Sequence, residues 1–137
     1  MKKYFLLFIL AALTSCDNDN NDISSKNNLK GRWNWIITSG GYGASQTPKT
    51  QNQTVVIEFS GTSLKTYING NLLQTQKFSI QAKPSPFGGK RKVIVIDNGN
   101  SFTNEVYIDQ SFKIIGTKLY LVQECTDCST SEYERIK

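Results

Sequence analysis

Three cysteines, at positions 16, 125 and 128, are the residues of this chain whose spacing most directly suggests chemistry. Two residues separate Cys125 from Cys128, a spacing found in disulfide turns, redox sites and zinc sites. A redox site would need a helix N-terminus in a βαβ unit, and zinc would need further ligands, for which only Glu124 and Asp127 are near. A disulfide that closes the turn is therefore favoured, with two free thiols as the remaining alternative.

The sequence offers no set of catalytic side chains. It contains no histidine, which removes Ser-His-Asp and Cys-His catalysis and the commonest metal ligand. A glycosidase would need two carboxylates that face each other across a cleft, and no such pair can be assigned among Glu58, Asp97, Glu105 and Asp109. Gly-x-Ser-x-Gly and phosphate-loop motifs are also absent. The sequence therefore predicts a protein that is not an enzyme and needs no metal or cofactor.

The first sixteen residues have the pattern of an export segment. Lys2 and Lys3 precede an apolar run over residues 4–13, which is too short to span a membrane because a spanning helix needs about 20 residues. The run ends in Leu13-Thr14-Ser15-Cys16, which resembles the lipobox of bacterial lipoproteins. This resemblance implies cleavage before Cys16 and acylation of its thiol and its new amino group. An ordinary secretory signal followed by a coincidental cysteine is the alternative.

The chain divides into three parts on this interpretation. Residues 1–15 are the signal peptide, residues 16–28 are the lipidated Cys16 and a polar, Asn-rich tether, and residues 29–137 are one domain. We expect the tether to be disordered because it can bury little apolar surface. Several acyl chains on Cys16 would anchor the protein stably. We therefore expect it in the cell envelope, on the outer membrane, facing the periplasm or the cell surface.

The charge distribution argues against nucleic acid as a partner. The formal net charge is +5, and loss of Lys2 and Lys3 leaves 14 basic against 11 acidic residues, or +3. Basic residues are scattered apart from Lys90-Arg91-Lys92, which is interpreted as a solvated turn. A nucleic-acid-binding protein would concentrate its positive charge in a stripe.

From Gly31 onward, runs of alternating apolar and polar residues are separated by turn residues, which is typical of strands. Asn69-Gly70 and Asn98-Gly99 are strong hairpin signals because a type I′ turn needs positive φ at both central positions. No helix is indicated. The predicted strands cover residues 32–39, 54–60, 63–68, 72–81, 92–97, 102–115 with a bulge near 110–111, 118–123 and 130–136.

Eight short strands with short connections predict an all-β, antiparallel up-and-down barrel, since closure removes the exposed sheet edges. An antiparallel β-sandwich is the alternative. Alternate loops of such a barrel lie at opposite ends, so one rim would hold the loops at residues 40–53, 69–71, 98–101 and 124–130. This rim includes Tyr42 in a Gly-rich loop that is suited to act as a lid. It is the expected mouth of any binding site.

The two ends of the domain resemble those of lipocalins. Gly31-Arg32-Trp33 matches their Gly-x-Trp pattern on the first strand, and Arg135 matches the late arginine that packs across the tryptophan. The closing sequence Glu-Tyr-Glu-Arg is similar to the endings of bacterial lipocalin-like lipoproteins. The resemblance covers residues 29–137 and implies a lipocalin-like barrel in which Gly31, Trp33 and Arg135 have structural roles.

Two functions fit these observations. In the first, the barrel mouth binds a small apolar or amphipathic ligand, and the candidate contacts are Trp35, Tyr42, Phe59 and Phe78. The alternative is a non-enzymatic interaction module whose rim loops, with Tyr42 and Phe87 exposed, contact a protein or glycan of the cell envelope. In either case the lipid on Cys16 makes the membrane a partner.

Overall fold

A computed structural model describes residues 19–97 and 108–137 of the chain. The helices within them are α1 (Asp19–Leu29) and α2 (Pro48–Gln51). The strands are β1 (Gly31–Gly40), β2 (Val55–Ser60), β3 (Ser63–Ile68), β4 (Asn71–Pro84), β5 (Lys90–Asp97), β6 (Gln110–Ile115), β7 (Lys118–Gln123) and β8 (Ser129–Arg135). The predicted signal peptide, Cys16 and the Asn98-Gly99 turn lie outside the described residues.

The eight strands pair antiparallel in chain order, and β8 pairs back with β1 to close the sheet. In this closing pair Trp33 lies opposite Arg135, and Trp35 lies opposite Tyr133. The predicted up-and-down barrel is therefore confirmed, and the chain does not form a β-sandwich. Because every strand of the closed sheet lies between residues 31 and 135, residues 19–137 contain a complete folding unit.

Most strand boundaries follow the sequence pattern. β3 and β7 have the predicted bounds. The hairpin that joins β3 to β4 turns at Asn69 and Gly70, whose φ values of 50° and 81° are both positive, as a primed turn requires. β4 and β5 extend further than predicted and leave a connection of residues 85–89. β6 begins at Gln110, and the predicted strand residues 102–107 lie outside the described part of the chain.

Alternate side chains of the strands meet inside the barrel and form one apolar core. The rings of Phe59 and Phe78 pack edge to face, with centroids 5.2 Å apart and planes at 79°. A bulge in β1 between Trp35 and Ile37 leaves the intervening Ile36 exposed. The buried core residues are Leu29, Trp33, Ile57, Phe59, Phe78, Ile80, Ile94, Leu119 and Leu121.

Helix α1 lies at one end of the barrel, called the helix end below. The expectation of a disordered tether over residues 16–28 is corrected from Asp19 onward, where the chain is helical. The segment is polar, and its order depends on contacts with the barrel. Leu29, its last residue, is fully buried in the core, and the Ser25 hydroxyl lies 2.9 Å from the Lys92 Nζ. These contacts join residues that are far apart in the sequence, so no local sequence pattern predicts them.

The opposite end of the barrel, called the loop end below, carries the long connection between β1 and β2. Thr38 and Gln46 exchange two backbone hydrogen bonds of 2.8 Å, which hold this connection against β1. α2 follows, and its capping box joins the side chains and backbone N–H groups of Thr47 and Thr50. The expectation of no helix is therefore wrong here too, because the capping pair lies inside a segment that was assigned to a loop.

Candidate ligand-binding cavity

A cavity of about 300 Å³ lies inside the barrel between β2 and the strands that follow it, up to β7. Its walls are mainly aliphatic and aromatic, and three glutamines supply the polar groups. Among the described residues that line it, none carries a charge. The lining consists of Phe59, Leu64, Gln76, Ile94, Ile96, Ile108, Gln110, Leu121 and Gln123.

The inner surface of the barrel carries glutamines among its apolar residues. β7 runs toward the loop end, and its inward residues are Leu119, Leu121 and then Gln123. β4 and β6 run in the opposite direction, so Gln76 precedes Phe78, and Gln110 precedes Phe112. Apolar residues also lie on the loop-end side of the amides, because Ile96 follows Ile94, which is opposite Gln110, and Ile108 precedes Gln110. The amides therefore lie between apolar parts of the lining.

Two of the glutamines lie on neighbouring strands. Gln110 of β6 is directly opposite Gln123 of β7. The Oε1 of Gln123 accepts hydrogen bonds from the backbone N–H and the hydroxyl of Ser129, at 3.1 and 3.0 Å. A backbone N–H can only donate, so these bonds orient the amide and leave the Nε2 group of Gln123 free to donate elsewhere.

The four sequence-predicted contact residues lie in different places. Phe59 lines the cavity, and Phe78 packs behind it in the core. Trp35 is buried next to the bulge, and its indole N–H donates to the Thr38 hydroxyl at 2.9 Å. Tyr42 is 95% exposed, and its hydroxyl donates to Asp127 at 3.0 Å across the loop end.

The sequence reasoning missed the glutamines, although strand alternation contains the signal for one of them. Alternation along β7 puts Leu119 and Leu121 on one face, and Gln123 is the next residue in that series. The cavity positions of Gln76 and Gln110 are harder to read, because each depends on where its strand begins and on the pairing across the barrel.

The helix end is closed by the residues that the lipocalin pattern identified. The Arg135 guanidinium lies 4.0 Å from the ring centroid of Trp33. It donates hydrogen bonds to the carbonyls of Lys30 and Asn28, at 2.8 and 2.7 Å. The indole N–H of Trp33, a fully buried residue, donates to the carbonyl of Leu29 at 2.8 Å. These contacts join β1, β8 and α1.

The connection between β7 and β8 carries the predicted disulfide. The sulfur atoms of Cys125 and Cys128 lie at bonding distance, and their Cα atoms are 5.5 Å apart. The enclosed Asp127 has a positive φ of 62° and accepts the hydrogen bond from Tyr42. The disulfide therefore holds the turn to which the β1–β2 loop is attached. Among the described residues, no group of three or more His, Cys, Asp or Glu side chains is placed to bind a metal ion.

An ion pair between Arg91 and Glu124 borders this turn. Arg91 lies over Phe87 and places its Nη1 3.6 Å from the Oε1 of Glu124. The Glu124 side chain is 6% exposed, and its two covered oxygens have no hydrogen-bond partner of normal geometry among the described residues. Burial raises the pKa of Glu124, but the nearby Ser111 and Ser85 hydroxyls and Arg91 outweigh it, so the pKa lies below its ordinary value.

Comparisons with protein-family models, with curated proteins and with solved structures find no match for this chain. In the part of the chain that the structure describes, no helix is both long and apolar enough to cross a membrane.

Proposed function

We propose that this protein is a lipid-anchored, lipocalin-like barrel of the cell envelope that binds a small apolar or amphipathic ligand in its interior. The observation that carries the proposal is the cavity of about 300 Å³ inside the barrel. Small-molecule sites have volumes of about 300–1,000 Å³, apolar walls and a few polar groups. The interior of an eight-stranded barrel can be filled by its own side chains. Here the side chains that line the cavity leave it open.

The arrangement of the barrel ends supports the same function. α1, Trp33 and Arg135 cover the helix end, so a ligand would enter from the loop end. The amides of the cavity suit the polar part of an amphipathic ligand, and the apolar lining suits the rest. With no histidine in the sequence, we infer that the barrel holds its ligand without converting it.

Binding can be tested on residues 19–137 with the neutral, apolar dye N-phenyl-1-naphthylamine, whose fluorescence rises in apolar sites. Leu64 is half-buried and lines the cavity, so Leu64→Trp should fill it and weaken dye binding by about tenfold or more. Leu72→Trp is the matched control, since Leu72 is 55% exposed on β4. Equal binding by both variants would contradict the proposal.

Native mass spectrometry of the same domain can identify the class of ligand. Spectra would be recorded as purified and after incubation with mixed membrane lipids. A bound mass that disappears on denaturation is the expected result. A domain that remains free of added mass in both conditions, together with no dye binding, would indicate that the cavity is not a ligand site.

The lipid anchor requires a separate test in the full chain. We expect Cys16 to incorporate an alkyne analogue of palmitate in a bacterial host and to direct the protein to the membrane fraction. Cys16→Ser should lose both label and membrane association. A variant with serine at both Cys125 and Cys128 is the matched control and should keep the label. Label in the Cys16→Ser variant would reject acylation at this residue.

Exposed side chains at the loop end favour the second candidate function, an interaction module. Tyr42 is 95% exposed, and Leu72 and Leu73 are 55% and 61% exposed beside the β3–β4 turn. A protein or glycan partner in the envelope would contact this surface. The module becomes the preferred function if the domain binds neither dye nor lipid, and loss of partner capture on Tyr42→Ala would then support it.

A further inference from the structure

We propose that the glutamines of the cavity select a ligand with an uncharged polar head, such as a hydroxyl, ester or amide, attached to an apolar body. The inference rests on the proposed function and specifies its ligand. The three amides, Gln76, Gln110 and Gln123, are called the amide rim below.

The placement of the amide rim defines how such a ligand would lie. Each of two glutamines lies directly opposite an apolar wall residue of the same cavity, Gln110 opposite Ile94 and Gln76 opposite Leu64. A bound ligand would place its polar head at the amides and pack its apolar body against Phe59, Ile94 and Leu121. The cavity has the volume of about ten water molecules at ~30 Å³ each, so the ligand must be small.

The hydrogen-bonding capacity of the amide rim is largely free. Gln123 uses its Oε1 on Ser129 and keeps its Nε2 hydrogens. Among the described residues, the side-chain amides of Gln76 and Gln110 have no hydrogen-bond partner. Each can therefore both donate and accept a hydrogen bond. The rim can therefore donate to a carbonyl or hydroxyl oxygen and accept from a hydroxyl or amide hydrogen.

The electrostatics of the cavity disfavour a charged head. No described lining residue is charged. Lys83 and Arg91 are held in ion pairs of their own, Lys83 at 2.6 Å from Asp109 and Arg91 with Glu124. A carboxylate drawn into the amide rim would lose hydration without gaining a cationic partner, which is costly in an apolar site. An uncharged head loses less hydration and forms the same hydrogen bonds.

Decanamide and decanoate provide a matched test because they share chain length and head shape and differ in charge at neutral pH. Each would displace N-phenyl-1-naphthylamine from residues 19–137. We expect decanamide to bind at least about tenfold more tightly than decanoate. Gln123→Leu and Gln110→Leu should each reduce the affinity for decanamide by several-fold, whereas Gln81→Leu, on the exposed face of β4, should leave it unchanged.

A gain-of-function variant keeps the inference testable if the leucine variants are unstable. Gln110→Lys places a cation in the amide rim and should shift the preference toward decanoate by about tenfold or more. Retention of the wild-type preference in this variant would overturn the role of the rim. The urea midpoint of each variant would be measured in parallel to confirm that it is folded.

The outcomes separate the inference from the function on which it rests. Dye binding with decanoate as tight as decanamide would overturn selection by the amide rim and leave the ligand-binding cavity standing. Failure of the dye and of both decanoyl compounds to bind would reject the proposed function, and the inference with it. The expected result, a preference for decanamide that depends on Gln110 and Gln123, would support both.

Discussion

The guanidinium of Arg135, on the last strand, lies 4.0 Å from the ring centroid of Trp33, on the first strand, and closes one end of the barrel. The same guanidinium donates to the carbonyls of Lys30 and Asn28, while the Trp33 indole donates to that of Leu29. One ion–aromatic contact and two hydrogen bonds thus connect the beginning and end of the domain.

Replacement of Arg135 by alanine should reduce the free energy of unfolding by about 2 kcal/mol. The residue supplies a cation–π contact of about 0.5–2 kcal/mol and two charged hydrogen bonds to backbone. Urea denaturation of residues 19–137 measures the change. Arg32→Ala is the matched control and should cost less than about 1 kcal/mol, because Arg32 is 53% exposed in its side chain and lies 5.4 Å from the Tyr67 ring. Equal losses would show that Arg135 has no special role.

Gly31→Ala should destabilise the same end of the barrel by about 2–3 kcal/mol. Gly31 has a φ of +124°, and a Cβ there would lie 3.0 Å from the Nη1 of Arg135. Backbone strain in this region costs about 1–3 kcal/mol, and the arginine cannot move freely because its hydrogen bonds hold it. Gly61→Ala is the control, with a φ of +59° and open space around the added carbon. A loss of unfolding free energy no greater than that of Gly61→Ala would show that the close approach of Arg135 to Gly31 has no effect.

Tyr133 should make the protein sensitive to alkaline pH. Burial raises its pKa to about 12 from an ordinary value of 10.0. Below about pH 10 the hydroxyl is protonated in both the folded and the unfolded state, so the stability that Tyr133 contributes is fully present. Between about pH 10 and 12 the unfolded state loses the proton first, and stability should fall by about 1.4 kcal/mol per pH unit.

Urea titrations across this pH range, with phenolate absorbance as a second readout, check the Tyr133 prediction. Tyr133→Phe should show a shallower alkaline loss of stability than the wild type. Tyr42→Phe removes an exposed hydroxyl and serves as the control, which should follow the wild type. Parallel curves for wild type and Tyr133→Phe would be incompatible with a buried, late-titrating tyrosine.

Glu124 should contribute to the loss of stability in acid. Its folded pKa lies below the ordinary 4.5, because the hydroxyls of Ser111 and Ser85 and the charge of Arg91 outweigh the opposing effect of burial. A lowered folded pKa gives stability that is present above about 4.5 and is lost as the pH falls through the folded value. We expect Glu124→Gln to lose less stability than the wild type between about pH 5 and pH 3.

Replacement of Arg91, the ion-pair partner of Glu124, by glutamine provides a second test. Removal of the guanidinium takes away one of the influences that keep the carboxylate ionised, so the acid transition should move to higher pH. Denaturation curves at several pH values measure both variants. An unchanged acid transition in Glu124→Gln would show that other carboxylates control the response.

Much of the barrel follows from sequence because its signals are local. Alternation along β3 and β7 and the Asn69-Gly70 turn depend on neighbouring residues alone, and these elements agree with the structure. The amide rim is different. Gln110 meets Gln123 only because β6 and β7 pair in one register, and a shift of β6 by one residue would send the Gln110 side chain to the outer surface.

By itself, the sequence determined the strand pattern and the up-and-down order, because alternation and turn chemistry are encoded at short range. The contact between Trp33 and Arg135 was implied by the resemblance to lipocalins. The tertiary structure decided that residues 19–29 form a helix, since that polar segment is ordered by Leu29 and by backbone contacts with Trp33 and Arg135. It also decided the volume and polarity of the cavity. Both depend on which side chains from distant strands share one interior, and that is set by closure of the sheet.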